Sequence, residues 1–159
     1  MTQSRLVSSC ARAATAEEAA FRIDYPLAAA RNTRVVALDA AAGEIVRQAA
    51  QMQWAQARFY SAVDPGHSLV TMSGERVPLI GELEDSNTLV LVSTTGENTE
   101  AAATIGAACK VRGIMTAGLA VTPGQLTSEA LFALRPYARI LLVPAEEDDL
   151  FELLRATRA

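Results

Sequence analysis

Leu89-Val-Leu-Val-Ser-Thr-Thr-Gly-Glu-Asn-Thr-Glu100 is the stretch on which the reading of this chain turns. Its first half, extended back to Thr88, is a short run of leucine and valine without polar alternation, the pattern of a strand covered on both faces. Its second half exchanges apolar residues for hydroxyls, a glycine and an asparagine, which is turn and helix-cap chemistry. Glu100 to Arg112 continues as an Ala-rich helical stretch with Ala101, Ile105, Ala108 and Cys109 on one face, and Gly113 closes it. Strand, hydroxyl-rich turn and helix together make one step of a parallel α/β sheet.

The flanking sequence repeats this step. Thr33 to Leu38 is a second β-branched run, followed by Asp39-Ala-Ala-Ala-Gly-Glu44 as a turn and by Ile45, Val46, Ala49, Ala50, Met52 and Trp54 on a helix reaching about Ala57. Arg58 to Val63 reads as a strand ended by the turn Asp64-Pro-Gly66. Ser68 to Met72 and Arg76 to Ile80 fit a small hairpin across Ser73-Gly74-Glu75, with Pro78 confining it to an edge. Ile114 to Val121 is a strand containing Gly118; Thr122-Pro123-Gly124 leads to a helix over about Leu126 to Leu134, and Arg139 to Val143 is the last strand.

The closing segment from Pro144 reads as a helix with Glu146, Glu147, Asp148 and Asp149 in its first turn and Arg155 and Arg158 in its last, charges that complement the helix dipole. That reading accounts for the acidic quartet without a metal. Ahead of the sheet, Thr15 to Arg31 reads as a helix with Thr15 and Glu18 as a capping box and Pro26 as a break. The expected architecture is a single-domain α/β fold: an open, mostly parallel sheet of about five strands with flanking helices. Residues 1–32 form its N-terminal helical segment and residues 33–159 its sheet core.

Composition narrows the function classes. Half of the 159 residues are hydrophobic and a fifth are charged, so the chain can bury a core of its own. A formal net charge of −4 without any Lys/Arg cluster argues against nucleic acid. Cys10 and Cys109 are too far apart for a redox or zinc motif and read as reduced packing residues. No apolar stretch reaches the roughly 18 residues of a membrane span, so a cytoplasmic location is expected.

Ligands of open α/β sheets bind beyond the carboxyl ends of the strands, where two turns stand out. Asp39 to Glu44 has one glycine, short of a dinucleotide fingerprint, and the chain lacks a P-loop, so no nucleotide cofactor is expected. The other turn offers the hydroxyls of Ser93, Thr94 and Thr95, the freedom of Gly96, and Asn98 or Thr99 to start a helix whose unpaired N–H groups attract an anion. These six residues are the candidate ligand-binding set. The same residues also suffice simply to turn the chain and cap the helix. Ser73, Ser93 and Thr94 lack a nucleophile elbow, and His67, the sole histidine, lies in a loop, so no catalytic residue is assigned.

Two family resemblances bear on this turn. Ser93-Thr-Thr-Gly-Glu-Asn-Thr-Glu100 resembles the phosphate-holding turn of sugar isomerase (SIS) domains, which implies phosphate contacts from Ser93, Thr95 and Asn98. It departs from that family at Asp39 to Gly43, where a Gly-x-Gly-x-Ser-like turn is usual, and it offers only Glu44, Glu97 and Glu100 as possible bases. Val92 to Ala102, followed by Arg135-Pro-Tyr-Ala-Arg-Ile140, is similar to the C-terminal allosteric domain of pyruvate kinase, here as a standalone chain. That resemblance ranks first because the family's first turn is not a glycine-rich cradle. It implies a noncatalytic regulatory domain that binds a phosphorylated small molecule and forms a homo-oligomer. A phosphosugar isomerase and a self-associating module without a small ligand are the alternatives.

Overall fold

The computed structural model describes residues 30–121, 131–132 and 134–159. Their elements run β1 (Thr33–Ala37), α1 (Ala40–Ala50), β2 (Ala57–Val63), β3 (Ser68–Thr71), β4 (Arg76–Pro78), α2 (Leu79–Leu83), β5 (Thr88–Ser93), α3 (Thr99–Val111), β6 (Met115–Val121), β7 (Ile140–Ala145) and α4 (Glu147–Ala156). The strands form one open sheet in the order β4-β3-β2-β1-β5-β6-β7. Five strands, β2-β1-β5-β6-β7, are mutually parallel, and the β3–β4 hairpin adds two antiparallel strands at the β2 edge. The five parallel strands are the five core strands expected, and the edge hairpin expected over 68–80 joins the same sheet to bring its total to seven.

Every residue of β1 and of β5 is buried, as continuous apolar runs require when helices cover both faces. Alternate residues feed two separate cores. Val35, Ala37, Val90, Val92 and Leu119 meet α1 through Val46 and Ala49 and α4 through Leu150 and Leu154. Val36, Leu38, Leu89 and Leu91 meet α3 through Ile105 and Cys109 and α2 through Leu79 and Leu83. Side chains also pack directly onto glycine backbone. A Cβ on Gly106 would stand 2.4 Å from Cγ of Tyr137, and one on Gly118 2.9 Å from Cδ1 of Leu141.

Three boundaries differ from expectation. α1 starts at Ala40 and ends at Ala50, not at Ile45 and about Ala57, because Asp39 caps it: the Ala42 amide donates to the Asp39 carboxylate at 2.8 Å. β7 runs through Pro144, an edge position where a missing N–H costs no ladder bond, so the last helix begins three residues beyond Pro144, at Glu147, with Glu146 at its N-cap. Asp149 reaches back to accept the Glu146 amide at 2.7 Å, which places the acidic quartet at the helix start as expected. Thirdly, Leu79–Leu83 is a short helix where a strand was expected to reach Ile80. Residues 15–29 of the helix expected over 15–31 and most of that over 126–134 lie outside the described residues, and residues 30 and 31 are not helical.

Candidate functional site

The strand order reverses at β1: the chain moves to one side to form β2 and to the other to form β5. Connections leaving in opposite directions open a crevice at the carboxyl ends of the two central strands, where open α/β sheets bind ligands. In this chain the crevice is bridged by its own side chains. Asp39, directly after β1, accepts the Thr94 amide at 2.7 Å, the Thr94 hydroxyl at 2.5 Å and the Thr95 amide at 3.2 Å while also capping α1. Asn98 donates from Nδ2 to the Leu38 carbonyl at 2.5 Å, and the Leu38 amide donates to the Val92 carbonyl at 2.9 Å.

Asp39 is 8% exposed, so its charge must be compensated locally. Burial raises its pKa, but the Thr94 hydroxyl and the amides of Thr94, Ala42 and Thr95 outweigh this and hold it below the ordinary aspartate value. The carboxylate thus sits as a resident anion against amides that an anionic ligand would otherwise use.

The six candidate residues consequently divide. Ser93 is buried, and its Oγ accepts the Gly96 amide at 3.3 Å. Thr94 is committed to Asp39 through both amide and hydroxyl. Thr95 is exposed and accepts the Glu97 amide at 3.4 Å, while Gly96 provides the positive φ of 80° that the turn needs. Asn98 occupies the N-cap of α3 in the left-handed region, yet its side chain makes no bond to its own helix, and Thr99 opens that helix exposed to solvent. The structure brings all six together; Thr95, Asn98 and Thr99 are the exposed ones, and the Asn98 amide is committed to the Leu38 carbonyl.

No family model and no characterised protein matches the sequence.

Beside the crevice lies a cavity of about 410 Å³ lined by Leu38, Asp39, Gly43, Arg47, Ser61 and Asn98 among others. Arg47 brings a cation to it, though it is held by an exposed ion pair to Glu44 at 2.9 Å. Asp39 is the residue that sequence reasoning undervalued. An aspartate directly before an Ala-rich stretch is a strong N-cap signal, but its bond to a turn 55 residues away has no local signature. His67, expected to be idle, is exposed at its loop position. Among the described residues no group of three or more His, Cys, Asp or Glu is placed to hold a metal ion, and no helix is long and apolar enough to cross a membrane.

Proposed function

We propose that this chain is a noncatalytic α/β ligand-binding or regulatory domain, akin to the pyruvate kinase C-terminal domain, that takes a phosphorylated small molecule at the turn 93–99. One observation supports this most: Asn98 turns its amide away from α3 to the Leu38 carbonyl, leaving the opening N–H groups of a 13-residue helix without a side-chain cap. Uncapped amides at a helix start attract an oxyanion. The Thr95 hydroxyl, in the turn after β5, and the cation of Arg47, which lines the cavity beside the end of β1, lie at the same end of the sheet and support this reading. Cytoplasmic location and homo-oligomerisation belong to the same proposal.

A panel of sugar phosphates tested by thermal denaturation checks this reading. A binder at a hundredfold excess over Kd stabilises the fold by about 2.7 kcal/mol, and Thr95→Ala with Asn98→Ala reduces that gain. No change in melting temperature across the panel would refute it. The same result would favour a second reading supported by the Asp39 clamp, in which the amides of Thr94 and Thr95 are already satisfied and the turn only joins β1 to β5 in a self-associating module. That reading calls for an oligomer unaffected by Ser93→Ala with Thr95→Ala.

A further inference from the structure

The opposite end of the sheet, where the parallel strands begin, carries a buried arginine that closes no ion pair among the described residues, although Glu82 and Asp85 lie near enough to attract it. Arg34 is the second residue of β1 and only 4% exposed. Its Nε donates to the Glu82 carbonyl at 3.0 Å and its Nη1 to the Thr33 carbonyl at 3.4 Å, both neutral acceptors. No carboxylate lies within ion-pair distance of it among the described residues. A guanidinium stays charged in a protein, and a buried charge is normally paired.

The neighbouring charges are already sorted. Arg58, level with Arg34 across the β1–β2 register and so on the same face of the sheet, pairs with Glu82 at 3.7 Å, and Glu82 also accepts the Tyr60 hydroxyl. Asp85, in the loop before β5, makes no ion pair among the described residues; its backbone carbonyl accepts from Asn32 Nδ2 at 2.8 Å, which ties that loop to the start of β1. Arg34, Asp85, Asn32, Gln56 and Arg58 line one cavity of about 460 Å³. Pockets for small ligands measure about 300–1,000 Å³. With Arg58 paired to Glu82, the cavity is left with a buried cation, Arg34, and an exposed carboxylate, Asp85, which attract each other without closing an ion pair.

We propose that this cavity is a second binding site, separate from the turn 93–99, for a small zwitterion of the α-amino acid class, its carboxylate on Arg34 and its ammonium on Asp85. The planar fork of a guanidinium matches a carboxylate through two parallel hydrogen bonds. The balanced pair of residual charges selects against a dianionic phosphate, which would meet the Asp85 carboxylate as well as Arg34. It also selects against a simple carboxylic acid, which leaves Asp85 unpaired.

The test is titration calorimetry of the full chain with each standard L-amino acid, with the des-amino acid corresponding to any that binds, and with inorganic phosphate. At least one amino acid is expected to bind, and its des-amino counterpart to bind about tenfold more weakly or less, as loss of a charged hydrogen bond implies. Asp85→Asn, a change at an exposed residue, should weaken the amino acid about tenfold while leaving the des-amino acid unchanged. Arg34→Lys, which keeps the buried charge and removes the fork, should weaken both. The proposal is overturned if no amino acid binds, if phosphate or the des-amino acid binds equally well, or if folded Asp85→Asn protein binds the amino acid as the unaltered chain does.

Discussion

Asp39 and Thr94, 55 residues apart in sequence, are joined by two hydrogen bonds, amide to Oδ2 at 2.7 Å and hydroxyl to Oδ1 at 2.5 Å, across the point where the sheet reverses direction. The same carboxylate caps α1 and accepts the Thr95 amide. One side chain therefore fixes the exit of β1, the start of α1 and the turn after β5. Replacing Asp39 by Ala removes a helix cap and strands donors in a largely buried place, and is expected to cost about 3 kcal/mol. Asp39→Asn keeps one acceptor and should cost about half as much. Urea denaturation with an unchanged slope measures both; equal stability of Asp39→Ala and the unaltered chain would mean that the clamp contributes nothing.

The clamp also sets an acid dependence. Burial alone would raise the Asp39 pKa, but the donors on it leave it below the usual value in the folded chain. A folded-state pKa that is depressed gives stability that is present above the unfolded value of about 3.9 and is lost as pH falls through the folded pKa. The stability difference between the unaltered chain and Asp39→Ala should hold constant from neutral pH down to about pH 5 and shrink below about pH 4. A difference that stays the same to the lowest pH at which both fold would show that the carboxylate is not the acceptor.

How far the sequence revealed this depended on how local each signal was. Thr88 to Ser93 and Thr33 to Ala37 were legible as strands because two-sided burial leaves an unbroken apolar run. The 93–99 turn was legible because hydroxyls and Gly96 compete with strand and helix over a few residues. The start of α1 is not legible from periodicity because Ala40 to Gly43 carry no amphipathic pattern, and only the cap at Asp39 marks it. The pairing of Asp39 with Thr94 and the burial of Arg34 at the other end are not legible at all. Both depend on which strands become neighbours, and β1 pairs with β5, whose start lies more than 50 residues further along the chain.

Two glycines with positive φ give a contrast that tests the packing next to the site. Gly66, at φ 105°, would direct a Cβ to within 2.9 Å of the Ala101 Cα and 3.0 Å of its carbonyl oxygen in the first turn of α3. Backbone cannot yield as a flexible side chain can, so Gly66→Ala combines backbone strain with overpacking and should cost about 3 kcal/mol or more. Gly74, at φ 91° in the β3–β4 hairpin, has nothing within 4 Å of the place a Cβ would take, so Gly74→Ala meets only the strain, about 1 kcal/mol. Thermal denaturation of the two variants should separate them clearly. Equal losses would indicate that Gly66 does not lie against α3.

Thr33 and Thr88 stand opposite each other where β1 and β5 begin, both fully buried, yet their hydroxyls are not equivalent. Thr33 Oγ1 donates to the Arg31 carbonyl at 3.3 Å, whereas Thr88 Oγ1 is buried without a partner among the described residues. A buried hydroxyl that has given up water without gaining a bond is a net cost, and valine fills nearly the same space and suits a strand equally well. Thr88→Val is therefore expected to stabilise the fold by about 1 kcal/mol, and Thr33→Val, which removes a hydrogen bond, to destabilise it by about 1 kcal/mol. Opposite signs from the same substitution at paired positions cannot come from strand propensity or volume, which the two sites share. If Thr88→Val proves destabilising, the hydroxyl has a partner, and a bound water at the start of β5 is the group to seek.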